Sequence, residues 1–167
     1  MRLTIDASVA NKLLLDEPGS EEARSFLPKK IENNSRIDFF LSAPTLVLME
    51  VHNTLAKKFH KSLIELKTLA AAEPLLLQAI TVNEFDLELA KRARMISFVA
   101  HSWSNEDALP IAESKRPFNI YDCVYIAHAE KHRTTLLTAD RDQADIAKNA
   151  FDIPVIFIDA ENARRLP

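Results

Sequence analysis

The sequence predicts an α/β protein built on a parallel sheet, and three observations carry that expectation. Short β-prone runs alternate with helical patterns of ten or more residues, and a parallel crossover needs such a helix to return the chain. A hydrophobic content of 47% over 167 residues can bury one sizeable core, which fits a single domain over 1–167. The chain has one glycine, which excludes a glycine-rich phosphate loop and a dinucleotide-binding fingerprint.

Residues 3–5 form the first β-prone run, followed by Asp6 and the helical pattern Val9, Ala10, Leu13, Leu14. Pro18 and Gly19 mark a turn, and Ser20 with Glu21 and Glu22 opens a helix reaching about Ile31. Residues 39–41 read as a second strand, and Pro44 suits the first turn of a long helix to about Phe59. Ser62 opens a helix towards Leu77, with Pro74 a point where it kinks or ends. Residues 79–82 read as a third strand, and Asn83 as the cap of a helix through Leu87, Ala90 and Arg94 to about Val99. The polar stretch 101–117, which holds Pro110 and Pro117, reads as a loop. Asn119 caps a helix to about His132, 135–138 is a fourth strand, 142–151 a helix, and 155–158 a fifth strand.

The formal charge of -3 argues against nucleic-acid binding by bulk electrostatics. It does not exclude a nuclease, because carboxylates gathered around divalent cations lower the formal charge while the bound ions reverse the local field. Lys57, Lys58, His60 and Lys61, like Lys131, His132 and Arg133, read as solvated helix ends. Cys123 is the single cysteine, so no intrachain disulfide can form and a reducing cytoplasm fits. No stretch has the length and apolarity of a signal peptide or membrane span.

In a parallel sheet, residues just beyond strand ends or at helix starts share one edge, where ligands bind. Asp6 follows the first strand, Asp140 follows the fourth, and Asp122 lies in the first turn of the helix leading into the fourth. Glu50 interrupts the apolar run Leu46-Val47-Leu48-Met49 before Val51. Each acid also has a plainer role. Asp6 and Asp140 suit helix N-caps, Asp122 suits the positive end of a helix dipole, and Glu50 suits a solvated stripe with Asn53, Thr54 and Lys57. Their joint occurrence is harder to explain that way, since buried carboxylates need paired cations or metal, and no matching set of buried cations is evident. Oxygen-only ligands point to Mg²⁺ or Mn²⁺, and the five histidines form no zinc pattern. His128 reads as a packing or solvent-facing residue.

Four segments carry a resemblance: Thr4-Ile5-Asp6-Ala7-Ser8-Val9, Leu48-Met49-Glu50-Val51-His52-Asn53, Tyr121-Asp122-Cys123-Val124-Tyr125-Ile126-Ala127, and Leu137-Thr138-Ala139-Asp140. In this order, with Asp122 eighteen residues before Asp140, they resemble a PIN domain, and most closely the VapC-like toxins of bacterial toxin–antitoxin modules. The resemblance implies a sheet of order 3-2-1-4-5, metal-dependent hydrolysis of RNA, an antitoxin partner and a homodimer. It implies catalytic and metal-binding roles for Asp6, Glu50, Asp122 and Asp140, and supporting roles for Ser8, Asn53 and Thr138. Asp142 is a candidate outer contact, with an exposed helix start as the alternative. Two departures bear on substrate preference: the long 101–117 stretch, and His128 where an apolar residue is common.

On this reading the cation is held by Asp6, Asp122 and Asp140 and activates a water, while Glu50 either bridges a second cation or orients the water. Two other classes compete. A haloacid-dehalogenase-like phosphatase would use Asp140-Arg141-Asp142, but Ala144 stands where its motif needs threonine. A receiver-like binding module expects paired acids after the first strand, and Asp6 is followed by Ala7. A catalytically silent PIN-like scaffold is disfavoured by acids at all four positions.

Overall fold

The computed structural model describes residues 1–27, 39–105 and 118–159. Five parallel strands, β1 (Arg2–Ile5), β2 (Phe40–Pro44), β3 (Thr81–Asn83), β4 (Thr135–Thr138) and β5 (Val155–Phe157), form one sheet of order β3-β2-β1-β4-β5. The helices are α1 (Ala7–Leu14), α2 (Ser20–Ser25), α3 (Leu46–His60), α4 (Leu66–Ala79), α5 (Leu87–Asn105), α6 (Ile120–His132) and α7 (Arg141–Phe151). The α/β class and the strand order both match the expectation. The central strand carries the core: Leu3 and Ile5 on β1 and Leu136 and Leu137 on β4 are fully buried. Such two-sided burial produces near-continuous apolar runs rather than alternation.

Several boundaries differ from the sequence reading, each for a local reason. Pro44 ends β2 instead of opening a helix, and α3 begins at Leu46. At this point Pro44 pairs with Asn83 on the outer strand β3. Asn83 therefore belongs to the sheet, and the cap of α5 is Asp86, whose Oδ1 accepts from the Leu89 N–H at 2.7 Å. Helix α5 runs through Asn105, so the start of the stretch read as a loop is helical, while 106–117 lies outside the described residues. The first helix after Gly19 ends at Ser25, and its expected continuation past residue 27 is likewise outside them. Pro74 sits inside α4 without ending it, and Ala72 and Leu76 on either side keep that helix packed on the core.

Gly19 precedes α2 with φ +86, and an added Cβ would stand 2.9 Å from the Ile158 side chain. Both facts select glycine there. Elsewhere the chain makes left-handed helix ends without it: Arg133 closes α6 and Asp152 closes α7, at φ 51 and 52.

Of the two roles read from the sequence, His128 takes the packing one and is fully buried. Its Nε2 stands 3.0 Å from Asn83 Oδ1 and its Nδ1 2.9 Å from Thr4 Oγ1, which in turn lies 2.6 Å from Thr134 Oγ1. Asn83 Oδ1 can only accept, so Nε2 carries the proton and Nδ1 accepts from the Thr4 hydroxyl. Burial holds the imidazole neutral, pushing its pKa down to about 3, with the neighbouring His132 and Lys131 adding to the effect. This chain of bonds joins β3, β1 and α6, which explains a polar residue on an otherwise apolar helix face. Because the folded pKa lies below that of the unfolded chain, the stability His128 confers is complete above about pH 6.5 and is lost as pH falls towards 3. His128→Leu should cost about 1–3 kcal/mol at pH 7 by taking a partner from fully buried Thr4 and from half-buried Asn83. The deficit should shrink below pH 6.5, by at most about 1.4 kcal/mol per pH unit. Denaturant melts of both proteins at pH 7 and pH 5 check this, and a gap that stays constant or widens refutes it.

Candidate active site

The carboxyl ends of β1 and β4 are level, since Ile5 pairs with Leu137 and the Asp6 N–H reaches the Leu137 carbonyl. Strand order reverses direction between these two strands, and the crevice at such a switch point is where open α/β sheets bind ligands. A cleft of about 270 Å³ opens there, lined by Asp6, Ser8, Asn11, Glu50, Asn53, Thr54, Asp122, Tyr125 and Asp140, among others. The four acids selected from the sequence thus converge on one cavity. Asn53 and Ser8 are on its wall, and Thr138 lies just beneath it. Asp142 is not part of the lining, and its charge acts on Asp122.

Asp6 is 4% exposed and caps α1, its Oδ1 accepting from the Val9 N–H at 2.9 Å. The capping role and the cleft role therefore coexist in one side chain. Ser8 Oγ lies 2.7 and 2.9 Å from its two oxygens, and Thr138 Oγ1 donates to Oδ2 at 2.8 Å. Each hydroxyl also accepts from the backbone of the segment entering α7: Ser8 from the Ala139 N–H and Thr138 from the Asp140 N–H, both at 2.9 Å. Burial raises the Asp6 pKa to about 6, against the pull of its three donors and with the Asp140 charge adding to the rise.

Asp122, half-buried in the first turn of α6, is pushed up to about 7 by burial and then by the charges of Asp140, Glu50, Asp6 and Asp142. Asp140 caps α7 through the Gln143 N–H at 2.9 Å. Fully buried Gln143 also donates its side-chain amide to the Asp122 carbonyl at 3.0 Å, so one residue ties together the segments that carry both acids. Glu50 on α3 accepts from the Tyr125 hydroxyl at 2.5 Å, and burial raises its pKa.

Sequence reading missed Tyr125, Gln143 and Asn11. Tyr125 stands three residues after Asp122, a helical spacing that places both on one face, and that was the available signal. Gln143 and Asn11 act through burial and backbone contacts, which leave no pattern in a single sequence. Cys123, next to Asp122, is no nucleophile: burial pushes its thiol up to about 12.

Among the described residues no lysine, arginine or histidine lines the cleft to balance its acids. Among the described residues no three His, Cys, Asp or Glu side chains form a closed metal cage as they stand. The donor set consists of carboxylate, amide and hydroxyl oxygens around an open space. That chemistry fits a hard divalent cation, with Asp6, Asp122, Asp140 and Glu50 as the groups able to hold it.

A parallel α/β fold with an acidic, oxygen-only cleft at its switch point is an architecture suited to binding hard divalent cations. Residues 3–149 match the PIN domain family, and the chain belongs to it. No curated protein sequence matches. Among solved structures, PAE2754 from Pyrobaculum aerophilum is similar at 19% identity and TM-score 0.54, covering 99% of this chain and 100% of that one. VapBC2 from Rickettsia felis, bound to a promoter DNA fragment, is similar at 11% identity and TM-score 0.61, covering 95% and 100%. The Mycobacterium tuberculosis toxin VapC20, which cleaves the sarcin-ricin loop, is similar at 14% identity and TM-score 0.55, covering 84% and 92%.

The raised pKa of Asp122 has a direct consequence for the metal-free protein. A folded pKa of about 7 against the ordinary 3.8 means that full stability is present below pH 3.8 and is lost as pH rises through 7. Asp122→Asn should therefore melt higher than wild type in EDTA at pH 8, with the gain fading towards pH 4. A variant less stable than wild type at pH 8 by more than about 1 kcal/mol would show that Asp122 serves chiefly as a helix-start residue.

Proposed function

We propose that this protein is a Mg²⁺- or Mn²⁺-dependent endoribonuclease acting as the toxin of a toxin–antitoxin pair. The observation that carries the reading is the convergence of Asp6, Glu50, Asp122 and Asp140 on a cleft with no cationic side chain among the described residues of its wall. Membership of the PIN family supports phosphodiester hydrolysis, and the RNA-cleaving toxin among the structural neighbours supports RNA as the substrate. Neighbours solved as VapBC and FitAB complexes support an antitoxin partner. On this reading the protein works in the cytoplasm as a homodimer; no helix among the described residues is long and apolar enough to cross a membrane.

A bound divalent cation supplies Lewis-acid polarisation of the phosphate and a lowered pKa for water. Asp6, Asp122 and Asp140 would hold it. Asp6 is kept rigid by Ser8 and Thr138, which limits the reorganisation needed when the cation and phosphate arrive. Glu50, anchored by Tyr125 and with its pKa raised, is suited to take a proton from the attacking water. Asn53 and Thr54 continue the cleft wall along α3, and Lys57, one turn further and exposed, offers a cation to the RNA backbone.

Purified protein should cleave RNA with Mg²⁺ or Mn²⁺, lose the activity in EDTA and leave p-nitrophenyl phosphate intact. Asp6→Asn, Asp122→Asn, Asp140→Asn and Glu50→Gln should each reduce cleavage by about two orders of magnitude or more. Near-wild-type rates in two of the four variants would sink the site assignment. Expression without a partner should arrest growth; a harmless chain that still cleaves RNA would remove the toxin role and leave the nuclease standing.

A further inference from the structure

Asn11 sits in the middle of α1, 7% exposed, as part of the cleft wall. Its Nδ2 donates to the Ala7 carbonyl oxygen at 2.8 Å. That bond fixes the amide, because the opposite orientation would set Oδ1 against another carbonyl oxygen. Oδ1 is thus the end turned away from Ala7, and it is buried with no hydrogen-bond partner among the described residues. Buried acceptors in folded proteins are almost always satisfied, so an orphan invites an explanation. The polar neighbours on the same wall show the contrast. Ser8 bonds Asp6 and Ala139, and Tyr125 bonds Glu50. The residues flanking Asn11 in α1 include Val9, Ala10 and Leu13, so an apolar side chain would suit the core side of this helix without leaving an acceptor unpaired.

We infer that Asn11 Oδ1 is an acceptor for the hydrated divalent cation held in the cleft, a neutral oxygen beside four acidic ones. The inference rests on the nuclease reading above. Hard cations take amide and carbonyl oxygens as readily as carboxylates, and waters bound to such ions are strong donors in need of acceptors. An amide also adds an acceptor without adding a fifth negative charge to a site already crowded with them. Asn11 is therefore an outer-contact residue of the cation site on α1.

The test uses the full chain and reads Mn²⁺ binding by calorimetry at pH 8, together with thermal melts in EDTA. Asn11→Leu should weaken Mn²⁺ binding about tenfold or more while still melting cooperatively in EDTA. Asn11→Asp keeps an oxygen and loses the N–H donor to Ala7, and should hold Mn²⁺ to within about threefold of wild type. The inference is overturned if Asn11→Leu, folded and melting cooperatively in EDTA, binds Mn²⁺ as wild type does. It is overturned equally if Asn11→Asp loses as much affinity as Asn11→Leu, since the bond to Ala7 would then be what matters. A wild-type chain that binds no Mn²⁺ would instead bring down the nuclease reading, and this inference with it.

Discussion

Ser8 and Thr138 each stand between the Asp6 carboxylate and a backbone N–H of the segment that enters α7, and the cleft depends on these two bridges. Each hydroxyl donates to the acid and accepts from the chain, so neither has freedom left to serve as an ordinary surface group. Together they fasten the end of β1 to the end of β4 at the level where the strand order reverses. Asp140 is thereby positioned by the same bonds that orient Asp6, and Gln143 extends the arrangement to Asp122. The acids are held by a hydrogen-bonded frame, not by one another.

That frame keeps negative groups together against their mutual repulsion, while α6, packed on the sheet, contains a titrating group of the opposite tendency. Asp6 and Asp122 favour protonation in the folded chain, whereas His128 refuses it. Lowering the pH relieves the cleft and stresses the network of Thr4, His128, Asn83 and Thr134. The two effects lie on different sides of the sheet's function: one concerns what binds at its carboxyl edge, the other how α6 is locked to β1 and β3.

What could be read from the sequence was what depends on order along the chain. Alternating strands and helices gave the class, and the strand-end rule placed Asp6 and Asp140 on one edge because backbone direction alone dictates it. Glu50 was visible as a charge inside the apolar run before Val51. The helix ends were harder, since Arg133 and Asp152 adopt the left-handed conformation that glycine usually signals, and Asp86 took the capping role that Asn83 seemed to hold. Tertiary contacts decided the rest. His128 looked like a helix-face residue because its partners, Thr4 and Asn83, are 124 and 45 residues away in the chain.

The pairing of β1 with β4 also sets a timetable for synthesis. The central strand leaves the ribosome before the other four strands, yet one of its two neighbours and the Thr138 hydroxyl that braces Asp6 lie about 130 residues later, in a contact spanning 132 positions. Contacts that distant in sequence form late and slowly. Three of the four acids could be translated and even helical while the cleft remained unassembled. A nascent chain therefore carries no complete acidic cleft until Asp140 and the start of α7 have emerged, which separates translation of this protein from the onset of any activity it has.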